Sequence, residues 1–203
     1  MLAFYNLATN ILCSVMEVDA EYLTVRIRNV PNFPKPGINF KDIQPYLEDP
    51  DARLAGARRI AEYGRSRGDV DGVIAPEARG FIIGTSVADS EILHAGLYMA
   101  RKPRKTPYIS PDELLPVEFD LEYGTDTLVL PRWLLAPKGG KRKKILVVDD
   151  VLATGGTAEA LAGGVKECQA EVVGIGFLIE IMGLNGRKRL EDGGYDVFSV
   201  LKM

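Results

Sequence analysis

The chain reads K-I-L-V-V-D-D-V-L-A-T-G-G-T from Lys144 to Thr157, and this stretch decides the fold. Lys144 to Val148 form a mostly apolar run rich in β-branched side chains, as a strand buried on both faces does. Two carboxylates follow, Asp149 and Asp150. A short turn then places Gly155 and Gly156 between Thr154 and Thr157, and a helix-forming run goes from Ala158 to Cys168. Strand, acidic pair and glycine-rich helix start together make a site for a phosphorylated sugar. Unpaired N–H groups at a helix start attract phosphate. The glycines let the backbone approach it closely, and the threonines add hydroxyl donors. The carboxylates can hold sugar hydroxyls, or face positive charge that develops on the ring.

Three other readings use similar pieces. A dinucleotide fingerprint needs G-x-G-x-x-G, which is absent. A Walker loop needs a glycine at the position of Leu135 and Ser or Thr at Arg142, so Gly140-Lys141 fails it. A phospho-receiver domain also ends its first strand in two Asp, but it needs roughly another hundred residues. Only 53 residues follow Asp150, and neither Asp192 nor Asp196 ends an apolar run. Plain helix capping needs neither an acidic pair nor a double glycine.

Composition narrows the class. A chain of 203 residues with 46% hydrophobic and 26% charged residues is ordinary for one globular domain with a small appendage. A net charge of −3 argues against a general nucleic-acid binder. Cys13 and Cys168 stand far apart, which reads as reduced thiols in a cytoplasmic protein. His94 is the single histidine, so a His-based triad or zinc site is disfavoured, and any metal is held by carboxylates, water and substrate phosphates, which suits Mg²⁺. No run approaches the ~20 apolar residues of a membrane span. Residues 1–15 are apolar without a basic n-region or clean cleavage site. They read as an extra helix or as sequence ahead of an alternative initiator, Met16, with a weak signal peptide as the third option.

Read in order, residues 17–29 alternate charged and apolar positions and predict a short amphipathic helix. Pro31, Pro34, Pro36 and Gly37 then exclude helix and central strand, leaving an aromatic-bearing flap over 30–48. Asp49-Pro50 is a helix start with its cap, and Leu54, Ala57, Ile60 and Ala61 give that helix an apolar stripe. Gly72 to Pro76 reads as a buried strand, followed by Glu77-Ala78-Arg79-Gly80 and a helix from Phe81 to about His94. Arg79 can offer a bidentate cation at this second helix start. After a strand at Leu97–Ala100 come Arg101, Lys102, Arg104 and Lys105 at the base of a proline-punctuated loop, about 101–121. A loop this long is a lid or disordered, and its cations suit closure over a polyanion. Phe119–Gly124 and Thr127–Leu130 read as a hairpin turning near Thr125-Asp126. Strands at Val172–Ile181 and Val197–Leu201 flank a short helix, Leu184–Leu190. Strands alternating with helices predict an α/β fold, a mostly parallel central sheet with helices on both faces.

V-V-D-D-V-L-A-T-G-G-T resembles the 5-phosphoribosyl 1-diphosphate (PRPP) signature of the type I phosphoribosyltransferases, and the A-T-G-G-T form is similar to that of the branch acting on adenine. P-E-A-R-G-F resembles the family's diphosphate loop, and E-Y-G at Glu122 its purine-facing glutamate and lid aromatic. The resemblance implies the family fold, with a small N-terminal hood at 30–48 and a core at 49–203. It implies purine salvage by transfer of the phosphoribosyl group from PRPP to adenine, giving AMP and diphosphate. It assigns the 5′-phosphate to Ala153, Thr154, Gly155, Gly156 and Thr157. The ribose and its developing charge fall to Asp149 and Asp150, and the diphosphate to Arg79, Arg101, Lys102 and Lys105. Glu122 is assigned as general base, with Tyr123 beside it. It further implies a cis peptide between Glu77 and Ala78, Mg²⁺ carried by substrate near Asp149 and Asp150 with no direct protein ligand, and a homodimer. At the hood positions facing the base, Asn39 and Lys41 depart from the usual apolar residue and arginine, so another purine stays open as acceptor. A non-catalytic PRPP-binding regulator is the rival from another class.

Overall fold

The structure, a computed structural model, describes residues 18–121 and 124–203. The chain divides into two compact units, Met1–Gly56 and Ala57–Met203.

In the N-terminal unit a short helix, α1 (Ala20–Thr24), is capped by Asp19, whose Oδ1 accepts from the Tyr22 amide at 2.7 Å. The helix expected over 17–29 is therefore five residues long. The chain has already turned into a strand, β1 (Arg28–Pro31), which pairs antiparallel with β2 (Asn39–Asp42). The proline-rich run is the connection of this hairpin. Phe33-Pro34 is cis, and Phe33 meets Phe40 edge to face at 5.2 Å. After α2 (Gln44–Glu48), Asp49 caps α3 (Pro50–Ser66) as its sequence predicts, its Oδ1 accepting from the amides of Asp51 at 2.9 Å and Ala52 at 3.0 Å.

The C-terminal unit is built on a five-stranded parallel sheet in the order β4-β3-β7-β8-β9. Its strands are β3 (Gly72–Pro76), β4 (Gly96–Ala100), β7 (Lys144–Leu152), β8 (Glu171–Glu180) and β9 (Val197–Lys202). A separate antiparallel hairpin joins β5 (Leu114–Leu121) to β6 (Gly124–Pro131). Its strands are longer than expected and turn earlier, so Thr125 and Asp126 lie on β6. The remaining helices are α4 (Arg79–Ala88), α5 (Arg132–Leu135), α6 (Gly156–Glu167) and α7 (Gly186–Asp192). Helix α4 ends before His94, which has a left-handed φ of 45°. Among the described residues no helix is long and apolar enough to cross a membrane. Cys168 is free and buried, and burial pushes its thiol up to about 11.

The period-2 alternation of strand side chains sorts the two faces. Ile74, Ile145, Val147, Ile175 and Phe177 join one buried cluster with Leu161 and Val165 of α6 and with Leu115, Val117, Leu128 and Leu130 of the hairpin. The intervening positions meet the other helices. Gly84 of α4 packs on Ala75, and Gly64, in the part of α3 that belongs to this unit, packs on Leu146. Helices thus cover both faces, and β7 is central because both of its sides are apolar.

On β8 two glycines admit α3. A Cβ on Gly174 would fall 2.4 Å from Tyr63 Oη, and one on Gly176 would fall 2.6 Å from Ile60 Cγ2. Tyr63 cannot move cheaply, because its hydroxyl donates to Asp196 O at 2.8 Å. Gly174→Ala is therefore expected to destabilise the fold by about 1–3 kcal/mol through overpacking. Urea unfolding checks this, and a neutral substitution would refute the packing assignment.

Candidate active site

Strand β7 does not stop at Val148. It stays paired with β8 through Leu152, so both aspartates are strand residues. Asp149 is half-buried and Asp150 is 5% exposed. Asp149 Oδ1 accepts from the Asp150 amide at 2.8 Å. Arg79 Nε stands 3.0 Å from Asp150 Oδ2, an ion-pair contact without hydrogen-bond alignment. The start of α4 closes over the pair, and a Cβ on Gly80 would fall 2.8 Å from Asp149 Oδ1. Burial, and then the charge of Asp150, raises the Asp149 carboxyl well above its ordinary range. Burial also raises Asp150, against the opposing pull of Arg79. Two carboxylates at a sheet's carboxyl edge, costly to ionise, favour a partner that brings hydroxyl donors or positive charge.

Beyond the strand, Ala153 to Gly155 form the turn into α6. Gly155 has φ +83°, a conformation that glycine takes without strain. Among the described residues, the amides of Thr154, Gly155, Gly156 and Thr157 donate to no acceptor in the fold. Four donors at the start of a 12-residue helix form an anion cradle. The cradle is held from behind by α7. A Cβ on Gly186 would lie 2.2 Å from Ala153 O, and one on Gly155 would lie 3.0 Å from Gly186 O. Arg187 fixes that helix start through bonds to Glu180 at 2.9 and 2.6 Å and to Val197 O at 2.7 Å.

The cations expected to meet a polyanion are engaged within the fold. Glu77, on the turn after β3, accepts from Lys105 Nζ at 2.6 Å and from the Lys102 amide at 3.1 Å. Arg101 Nε is 3.7 Å from Glu77, buried and without a hydrogen-bond partner. Lys102 Nζ pairs with Asp126 on β6. Arg101 also exchanges backbone hydrogen bonds with Val129, at 3.1 and 2.7 Å, which fastens the base of the 101–121 segment to the hairpin. Within this segment lie two 3₁₀ turns, Pro103–Lys105 and Pro111–Glu113, and all of β5. The Glu77–Ala78 peptide is cis, as the sequence resemblance implies.

Arg79, Asp149 and Asp150 thus adjoin the cation group through the turn Glu77–Arg79, and adjoin the cradle through the end of β7. Glu122 and Tyr123 lie outside the described residues. In the N-terminal unit, Asn39 and Lys41 sit on β2, where Lys41 Nζ donates to Asn29 Oδ1 at 2.5 Å. Sequence reasoning missed Glu77, Asp126 and Gly186. A carboxylate directly after a buried strand was a usable signal for Glu77, but an acid near a hairpin turn and a glycine at a helix start carry none.

Among the described residues, no group of three or more His, Cys, Asp or Glu is arranged to hold a metal ion. Asp149 and the hydrogen-bond-orphaned oxygen of Asp150 instead fit a hard cation held mainly by substrate oxygens and water.

The family model of the phosphoribosyl transferase domain matches residues 46–202. The chain belongs to the phosphoribosyltransferase family. An adenine phosphoribosyltransferase of Halothermothrix orenii is 43% identical over 176 residues, covering 87% of this chain and 96% of the relative. The crystal structure of adenine phosphoribosyltransferase from Rhodothermus marinus is 41% identical, with TM-score 0.79 over 91% of this chain and 98% of the other. That of the Giardia lamblia enzyme, complexed with 9-deazaadenine, is 30% identical, with TM-score 0.80 over 91% and 98%.

Two predictions follow from this geometry. Gly186→Ala forces Ala153 back and distorts the cradle, so calorimetric affinity for ribose 5-phosphate should fall at least about tenfold. Wild-type affinity would detach α7 from the cradle. The second concerns Asp149. Folding raises its pKa, so the favourable contribution of its protonated form is complete below the unfolded value of about 3.9 and is lost as pH rises through the folded value. Asp149→Asn should therefore melt at a higher temperature than wild type at neutral pH, with less pH dependence, while kcat/KM falls on the order of 10²-fold. A lower melting temperature at neutral pH would contradict the burial cost assigned here.

Proposed function

We propose that the chain transfers the 5-phosphoribosyl group of PRPP to adenine, giving AMP and diphosphate, as a step of purine salvage. The observation that carries this reading is the conjunction, at the end of one buried strand, of an acidic pair with four uncommitted amides. The relatives named adenine phosphoribosyltransferase support the choice of base.

In this reading Ala153 to Thr157 receive the 5′-phosphate. Asp149 and Asp150 hold the 2′ and 3′ hydroxyls near the anomeric carbon. Their negative charge gains favourable interaction as that carbon becomes oxocarbenium-like, which lowers the barrier selectively. Arg79, Arg101, Lys102 and Lys105 take up the charge of the departing diphosphate. The purine attacks through N9, and Glu122 accepts the proton released at N7. Tyr123 and the 101–121 segment close over the reactants and exclude water, which otherwise would hydrolyse PRPP. What bound Mg²⁺ supplies is further neutralisation of the diphosphate, with Asp149 and Asp150 as the nearest protein carboxylates. Asn39 and Lys41 are proposed as hood positions for base reading. We also propose a cytoplasmic homodimer. The exposed Leu97 and Met99 of β4 and Ile82 of α4 supply apolar surface for such an association.

The purified chain is expected to form AMP from adenine and PRPP, to lose activity on EDTA treatment and regain it with Mg²⁺. Its kcat/KM should be highest for adenine in a panel with hypoxanthine, guanine and xanthine. Glu122→Gln should lower kcat on the order of 10²-fold. Failure to make any nucleotide from any purine would reject the reading.

A further inference from the structure

Three of the four cations expected to meet the departing diphosphate, Arg101, Lys102 and Lys105, already face two carboxylates, and one of these is built into the site. Glu77 has a side chain 12% exposed, on the same turn as Arg79. Its two oxygens bind Lys105 Nζ and the Lys102 amide, and Arg101 Nε stands close without a hydrogen bond. Asp126 takes Lys102. The hydrogen bond from Lys105 is the main reason the Glu77 carboxyl lies below its usual range, so it is anionic at neutral pH.

A carboxylate here could serve in two ways. It could position cations for the ligand, or compete with the ligand for them. Exposure decides between these. The Lys105 side chain is 57% exposed, and an exposed ion pair of this kind holds its lysine only weakly. Such a pair fixes no geometry, yet yields readily to a polyanion. Arg101 differs, since its backbone is fastened to Val129 and its Nε, 3.7 Å from Glu77, makes no hydrogen bond to the carboxylate. Once the cations turn to diphosphate, Glu77 is left with full negative charge beside it. At effective dielectric values found near protein surfaces, like charges this close repel appreciably.

We propose that Glu77, assisted by Asp126, is a built-in competitor of the diphosphate. Between turnovers it holds Lys105 and flanks Arg101, and after transfer it takes Lys105 back and speeds release of the product. This inference rests on the functional reading above and deepens it.

The test compares Glu77→Gln, Glu77→Asp and Asp126→Asn with wild type. Glutamine keeps an oxygen to accept from the Lys102 amide and removes only the charge. Diphosphate binding is measured by calorimetry, and as product inhibition of AMP formation. For E77Q the expected results are about tenfold tighter diphosphate, a lower KM for PRPP, and a lower kcat because release slows. E77D should stay near wild type, and D126N should tighten diphosphate by a smaller factor. Unchanged or weaker diphosphate binding in E77Q overturns the proposal, as does a raised KM for PRPP, which a positioning residue would give. Should E77Q not fold, as its melting curve would report, unchanged diphosphate binding in D126N overturns it instead. A wild-type chain that makes no AMP, yet binds diphosphate more weakly than E77Q does, would remove the functional reading and leave the competition standing.

Discussion

Two neighbouring carboxylates at the end of a strand buried on both faces form the constraint on which the structure depends. Ile145, Leu146, Val147 and Val148 are fully buried, so β7 can only be a central strand. The same strand carries Asp149 and Asp150 into surroundings that penalise their ionisation. Burying charge costs free energy unless it is paired, and the pairing is incomplete. Arg79 meets one oxygen of Asp150 without hydrogen-bond alignment, and Asp149 accepts from the Asp150 amide. The flanking order β3-β7-β8 follows, because only strands with an apolar side on each face can flank β7, and because the turns after β3 and β7 must meet for Arg79 to reach the pair. Gly80 belongs to this constraint, since any side chain there would strike the Asp149 carboxylate.

The two ends of the site proposed to bind anions are built on different principles. The cradle at Thr154–Thr157 is made of backbone, its amides uncommitted and its shape fixed by Gly155 and by the buttress at Gly186. Preorganised donors need no rearrangement when the anion arrives. The cation group is made of long side chains already engaged with Glu77 and Asp126, and in the proposed reading exchanges partners. This asymmetry suits a substrate that keeps one phosphate through the reaction and loses the other group. A fixed grip serves the end that stays attached to the sugar. An exchangeable grip serves the end that has to leave.

Much of this was legible in the sequence because it resides in local pattern. The apolar run before Asp149 fixed β7, the glycines marked a close backbone approach, and Asp49-Pro50 marked a helix start. The rest was hidden for physical reasons. Sequence pattern ended the strand at Val148, whereas partner β8 carries the pairing to Leu152, because hydrogen bonds in a ladder tolerate polar residues when the neighbouring strand continues. The hairpin turn was misplaced because Thr125 and Asp126 have turn propensity, yet the β5–β6 register runs from Leu114↔Pro131 to Leu121↔Gly124. That register is set by Leu115, Val117, Leu128 and Leu130 packing on α6. The helix expected over 17–29 stops at Thr24 and the chain then enters β1, whose partner β2 lies beyond Pro34 and Pro36. Glu77 and Gly186 matter through contacts with residues far away along the chain, which periodicity does not encode.

In the proposed reading the hairpin of the N-terminal unit takes part in base choice. A guanidinium reads a planar partner with a rigid fork, and an ammonium cannot. In the β1–β2 register Lys41 stands directly across from Asn29, and the two side chains are hydrogen-bonded at 2.5 Å. The lysine therefore has a structural task within its own hairpin, tying the two strands where the chain returns from the proline-rich connection. Its ammonium has three donors, so the bond to Asn29 leaves capacity for other acceptors without requiring a planar one. A point-like donor discriminates poorly between purine edges, because it can meet a ring nitrogen or an exocyclic oxygen equally well. Strong discrimination instead needs a buried polar group that one base satisfies and another leaves unpaired. For the adenine preference proposed above, that group is to be sought in fixed donors and acceptors rather than in the Lys41 charge.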